Sequence, residues 1–197
     1  LFDSEETRME ALVTSTVIVA LAEIGDKTQL LSFVLAAKLK RKYAIMVGIF
    51  VATLANHTLA GYVGAWLAGL LSPLMLKWII ASSFFAFGLW VLRPDTLESD
   101  PKLHGRGAFV ATLIAFFFVE MGDKTQLATV ALAARYDALV AVIMGTTLGM
   151  LIANAPAVWI GAALAHRINM KAIRWIAAAS FLALGVWTLA SGGVRLY

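Results

Sequence analysis

Six apolar runs, at about residues 10–37, 43–71, 74–92, 107–134, 138–165 and 171–191, take up most of this 197-residue chain. A helix needs roughly 20 apolar residues to cross a ~30 Å hydrocarbon core, and these runs meet or approach that length. The residues between them are too few for a separate soluble domain. Apolar residues make up 61% of the chain and charged ones 14%, with mean hydropathy +0.84. Ordinary soluble domains run nearer half and a quarter, so a water-soluble globule is excluded. The runs are also too long and too uniform for the alternating strands of a membrane barrel. The expectation is an all-α polytopic membrane protein in a lipid bilayer, with six transmembrane helices.

Cysteine is absent, which removes disulfides, thiolate metal ligands and a cysteine nucleophile. The net charge of +4 is modest, and the basic residues read as loop charges that orient the chain, with no nucleic-acid partner. The first run follows Asp3, Glu5 and Glu6 and itself holds Glu23, Asp26 and Lys27, so it does not read as a signal peptide. Ten Lys and Arg fall in connections on one side, at 38–42, 93–106 and 167–174, against four on the other, at Arg8, Lys77, Arg135 and Arg195. The positive-inside rule then places both termini outside the cytoplasm. The longest connection, 94–106, holds Pro94, Pro101 and Gly105 and reads as a cytoplasmic linker between residues 1–93 and 107–197.

Those two segments repeat one another. At a gapless offset of 97, Glu23-Ile-Gly-Asp-Lys-Thr-Gln-Leu30 lies on Glu120-Met-Gly-Asp-Lys-Thr-Gln-Leu127 with seven of eight positions identical. The same offset aligns Gly48 with Gly145 and Trp78, Ser83, Phe84, Gly88 and Trp90 with Trp175, Ser180, Phe181, Gly185 and Trp187. Chance similarity between apolar helices would supply shared leucine and alanine, not charged and polar residues in register. Three spans per repeat is an odd number, so the second repeat enters the membrane from the opposite side. Two inverted three-helix repeats, with a binding site at the midplane between them, is a secondary-transporter plan.

Glu23, Asp26, Glu120 and Asp123 fall near the middle of spans one and four. An ionisable group there costs at least about 2.5–3.5 kcal/mol, so function is its default reading. On a continuous helix Glu23 and Asp26 share a face, and Lys27 stands four residues beyond Glu23, where it can pair with it. The same holds for Glu120, Asp123 and Lys124. Such Glu–Lys pairs as mere staples would leave Asp26 and Asp123 unpaired, so the four acids read as metal ligands. Four carboxylates and two ammoniums carry a formal charge of −2, which one divalent cation neutralises. Lys27 and Lys124 read equally well as staples or as coupling residues.

Gly25 and Gly122 allow either close helix contact or a local break in the helix. Thr28, Gln29, Thr125 and Gln126 read as supporting oxygens or interhelical hydrogen bonds more than as direct ligands. Asn56 and Asn154 are candidates for ligation or cavity lining. His57 stands opposite Asn154 at the repeat offset, and a lone histidine is more often a core hydrogen-bonding residue than a ligand. Gly145 and Gly149 form a small-xxx-small helix contact, and the tryptophans read as interface or packing residues.

The doubled Glu-x-Gly-Asp-Lys-Thr motif resembles that of the Gdt-type transporters, formerly called uncharacterised protein family sixteen, and the resemblance spans essentially the whole chain. It implies manganese or calcium transport in exchange for protons. Bacterial members resemble manganese exporters, which implies a bacterial inner membrane. The family's motif acids correspond to Glu23, Asp26, Glu120 and Asp123 here.

Independently of that resemblance, a cysteine-free, oxygen-rich site suits hard divalent cations, and no tightly bound cofactor is expected. Carboxylates so close together cannot all stay ionised without the metal, so metal and protons compete for them. Expelling a divalent ion against ~100 mV costs about 4.6 kcal/mol, twice the ~2.3 kcal/mol per charge. Export therefore needs coupling, and no nucleotide-binding motif supplies ATP. The rival readings are an organic-cation or amino-acid exporter on a similar plan, and a membrane lipid-phosphate hydrolase. The hydrolase would need midplane arginines or a serine-rich phosphate loop, which the sequence lacks, so a non-enzymatic transporter is expected.

Overall fold

The computed structural model describes residues 2–94, 107–160 and 169–190, with side chains from residue 5 onward. The expected linker, apart from Pro94, lies outside the described residues. Among the described residues all regular structure is helical: α1 (Phe2–Glu23), α2 (Lys27–Leu39), α3 (Lys42–Leu70), α4 (Pro73–Trp90), α5 (Ala108–Glu120), α6 (Lys124–Arg135), α7 (Leu139–Ile160) and α8 (Met170–Ala190). Four of these, α3, α4, α7 and α8, are long and apolar enough to cross a membrane unbroken.

The runs expected as spans one and four are each split into two helices, and the cause is local. Gly25 has φ +83° and Gly122 φ +77°, the left-handed region that an L side chain enters only at a cost. The next residue, Asp26 or Asp123, is extended and starts the following half-helix. Of the two roles open to these glycines, the backbone takes the break. α4 begins more conventionally: Ser72 accepts the Met75 amide hydrogen at 3.4 Å and Pro73 fills the first helical position.

One pair of contacts between the halves is related by the offset of 97. A Cβ built on Gly145 of α7 would lie 2.5 Å from the Leu12 carbonyl oxygen and 3.0 Å from Ser15 Cβ, both on α1. One built on Gly48 of α3 would lie 3.0 Å from the Phe109 carbonyl oxygen and 2.8 Å from Thr112 Cβ, both on α5. Leu12 and Ser15 become Phe109 and Thr112 under the same offset. Each repeat's long helix thus rides on the first helix of the other repeat, at a separation only glycine permits. Gly149 extends the α1 contact, facing the Thr16 carbonyl oxygen and the Ala20 nitrogen. Without a hydrophobic drive between helices in lipid, such close backbone approach is what makes them associate.

Two buried apolar clusters flank these crossings. In one, Phe84 and Phe87 of α4 meet Phe181 of α8, with ring centroids 6.4 and 5.9 Å apart. The other gathers Leu31 and Leu35 of α2, Ile45 and Ile49 of α3, Phe116 of α5 and Met150 of α7. Large apolar side chains also cover the outside, and Trp66, Trp78, Trp90, Trp159, Trp175 and Trp187 are all exposed. That is the surface of a chain solvated by lipid, with tryptophans facing outward.

The glycine contacts give a prediction with two opposite signs. Among the described residues Gly69 of α3 has nothing within 4 Å of an added Cβ, so Gly69→Ala should stabilise by about 0.5–1 kcal/mol through helix propensity. Gly149→Ala should destabilise by about 1–3 kcal/mol, because its Cβ would meet α1 backbone. Thermal unfolding in detergent measures both, and equal shifts would contradict the packing described.

Candidate cation site

The two helix breaks bring acids of both motifs together, Glu23 with Glu120 and Asp123, while Asp26 is not one of this trio. One carboxylate oxygen from each of Glu23, Glu120 and Asp123 lies within 4.8 Å of the other two. All three side chains are buried, as is Asp26. Two ligands on opposite sides of a calcium-sized ion, each at ~2.3–2.6 Å from it, stand about 4.6–5.2 Å apart. The three oxygens can therefore reach one hard cation without moving apart.

The lysines pair across the repeats. Lys27 Nζ lies 2.8 Å from Asp123 Oδ1, and Lys124 Nζ is ion-paired with Asp26 Oδ1. This corrects the expected pairs four residues apart, Glu23 with Lys27 and Glu120 with Lys124. The reason is the break itself, since the left-handed glycine and extended aspartate turn the lysine off the face that carries the glutamate. It also corrects the expectation that stapling would leave the aspartates unpaired, because both aspartates hold a lysine of the other motif. Neither aspartate side chain caps the half-helix it starts.

The pairing leaves the glutamates exposed to one another. Both carboxylate oxygens of Glu23 and Oε2 of Glu120 are buried without a hydrogen-bond partner, while Glu120 Oε1 accepts the Thr125 hydroxyl. Unpaired carboxylate oxygens are costly in a dry interior unless a cation or proton joins them. The donor set is oxygen only, with formal charge −2 over four acids and two lysines, and it fits one hard divalent ion.

The remaining polar candidates serve the breaks and the helix contacts. Gln29 Oε1 accepts the Gly25 amide hydrogen at 2.9 Å, and Gln126 Oε1 accepts that of Gly122 at 2.6 Å. Each glutamine side chain thus replaces the backbone partner lost at the break. Thr28 is buried with its hydroxyl unpartnered. Asn154 is engaged in packing: Oδ1 accepts the Ser32 hydroxyl at 2.7 Å, and Nδ2 donates to the Met150 carbonyl at 3.0 Å. Asn56 Nδ2 donates to the Phe117 carbonyl of α5 at 3.0 Å. His57 is fully buried with neither ring nitrogen bonded.

Sequence reading passed over Ser32, whose bond ties α2 to α7. Its signal was present. Ser32 and Thr129 are hydroxyl residues at the same place in both repeats, one helical turn beyond the motif threonines.

The crossed pairs predict asymmetric losses. Lys124→Met strands Asp26 in a site where both side chains are at most 5% exposed, so it should destabilise by about 3–5 kcal/mol. Lys27, 26% exposed, should cost less when changed to Met. A second change, Asp26→Asn, should recover much of the Lys124→Met loss and little of the Lys27→Met loss. Thermal unfolding of the single and double variants decides between this pairing and one within each motif.

The family described as divalent cation/proton antiporter GDT1 matches the chain over residues 11–99 and 108–195. A Vibrio cholerae protein bearing the name "Putative manganese exporter" is 50% identical over 181 residues, which are 91% of this chain and 90% of that protein. A GDT1-like protein of Synechocystis is 28% identical over 91% of this chain and 98% of its own length. An Arabidopsis thaliana GDT1-like protein is 26% identical over 92% and 96%. No solved structure matches the chain.

Proposed function

This chain belongs to the divalent cation/proton antiporter GDT1 family, and from that premise we propose that it exports a hard divalent cation from the cytoplasm in exchange for protons. Mn²⁺ is the first candidate cargo and Ca²⁺ the second. The name of the Vibrio cholerae relative favours manganese. The observation that carries the proposal is the convergence of Glu23, Glu120 and Asp123, with orphaned glutamate oxygens, where the two half-helix breaks meet.

In this reading the membrane holds six spans as two inverted three-helix repeats, residues 1–93 and 107–197, joined by a cytoplasmic linker at 94–106. Each broken span contributes one Glu-x-Gly-Asp motif to a single midplane site. Both termini face away from the cytoplasm, and the host is a bacterial inner membrane.

The chemistry follows from charge. With cargo bound, the acids are anionic and one divalent ion cancels the −2 of the cluster. When it leaves, glutamate oxygens without a partner must take protons to stay buried. Metal and proton then exclude each other on the same atoms, which couples their fluxes. Lys27 and Lys124 hold the aspartates in place and keep the empty site from becoming more negative still. The inward-negative potential would drive a passive pore the wrong way, so this exclusion is what makes export possible.

Proteoliposomes with an imposed pH gradient test the reading. Native protein should move Mn²⁺ and Ca²⁺ against a counterflow of protons, with Mg²⁺ offered as the third ion. Asp26→Asn and Asp123→Asn remove one anion from each side of the site, so each should lose most of its flux and the two should agree within about tenfold. Near-native Mn²⁺ transport by both variants would overturn the carboxylate mechanism.

A further inference from the structure

The glycine breaks and the crossed lysine–aspartate pairs obey the offset of 97, but the surroundings of the two breaks do not. At the first break Gln29 Nε2 donates to the Ala153 carbonyl of α7 at 2.7 Å, and Ser32 donates to Asn154 Oδ1 at 2.7 Å. Met170 of α8 closes over the break, its sulfur 3.0 Å from where a Gly25 Cβ would stand. Together these fasten α2 to α7 and cover the site from that side.

The offset converts Gln29, Ser32, Ala153, Asn154 and Met170 into Gln126, Thr129, Asn56, His57 and Pro73. At this second break the equivalent fastening is unmade. Gln126 holds the Gly122 amide hydrogen, yet its own amide makes no bond to α3 among the described residues. Thr129 turns its hydroxyl back to the Thr125 carbonyl of its own helix, at 2.8 Å. His57 is 0% exposed, and neither ring nitrogen nor Asn56 Oδ1 has a partner. Among the described residues nothing lies within 4 Å of where a Gly122 Cβ would stand.

We propose that these are the two halves of an exchangeable latch, one closed and one open, and that Asn56 and His57 are positioning residues that fasten α6 to α3 when the other half releases α2 from α7. An imidazole can accept a hydroxyl as Asn154 Oδ1 accepts Ser32, so the histidine preserves the function of the asparagine it replaces. Threonine suits the moving side. Its hydroxyl has two accessible rotamers on a helix, one bonded to its own backbone and one turned outward. The unbonded imidazole is costly where it is buried, and the exchanged state recovers that cost while opening the first break. Ser32, Thr129, Asn56 and His57 thereby decide which side of the site is closed without touching the cation.

The inference rests on the transport reading for its purpose, but its closing test does not need the ion. The chain has no native cysteine, so cysteine pairs can be introduced directly. Ser32→Cys with Asn154→Cys and His57→Cys with Thr129→Cys are each expected to form a disulfide under copper–phenanthroline oxidation in liposomes, read by mass spectrometry. In the four-cysteine chain, molecules holding both disulfides should be at least about tenfold rarer than independent closure would give. A His57–Thr129 pair that never closes, or both pairs closing independently, overturns the latch. In flux assays His57→Asn should carry Mn²⁺ at least about tenfold faster than His57→Leu, with native Mn²⁺ affinity in the latter. Native flux through His57→Leu would likewise overturn it. If the native chain moves no Mn²⁺, the proposed function falls, and the cross-linking still decides the latch.

Discussion

Two lysine–aspartate pairs, each reaching from one repeat to the other, are the interaction on which this molecule depends. They let acids of both motifs lie buried together, since each aspartate is compensated by an ammonium from the opposite motif. Crossing the pairs has a consequence that pairing within a motif would not. Neither half can bury its own charges alone, so folding of each repeat is tied to the other. The glutamates are then the only acids of the cluster left without a cation, and their oxygens are where an arriving divalent ion gains most.

The break in the helix makes this possible. A continuous helix would have stacked Glu23, Asp26 and Lys27 on one face and let them neutralise each other locally. A left-handed glycine followed by an extended aspartate redirects the lysine across the interface instead. The glutamine three residues after the aspartate takes the amide hydrogen freed at the glycine, so the break costs less polar desolvation. The glycine, aspartate, lysine and glutamine of the motif therefore each have a structural task in both repeats that follows from their chemistry.

Much of this was legible in the sequence. Apolar runs of membrane length gave the all-helical class, and the charged motif duplicated at a fixed offset pointed to the approach of Glu23 to Glu120 and Asp123. That Gly145 and Gly149 form a close helix contact was readable from their spacing, though not that the partner is α1. The direction of the lysines was not, because helical periodicity holds only while the helix continues, and whether Gly25 breaks it depends on tertiary partners. The inequality of the two halves showed in the sequence only at His57, which stands opposite Asn154. Both motifs are nearly the same in sequence, while the structure differs around them through Ser32, Met170 and His57, which no local pattern marks as a set.

Paired helix breaks with crossed ion pairs between unequal surroundings suit a carrier, since the cargo must be held in both states while access to it changes sides. The central claim is that both motifs build one site and not two. Counting bound Mn²⁺ by electron paramagnetic resonance on purified native, Glu23→Gln and Glu120→Gln chains tests it most directly. A shared site predicts one ion per native chain and binding weakened by at least about tenfold in either variant. Two ions per native chain, or native binding in either variant, would contradict it.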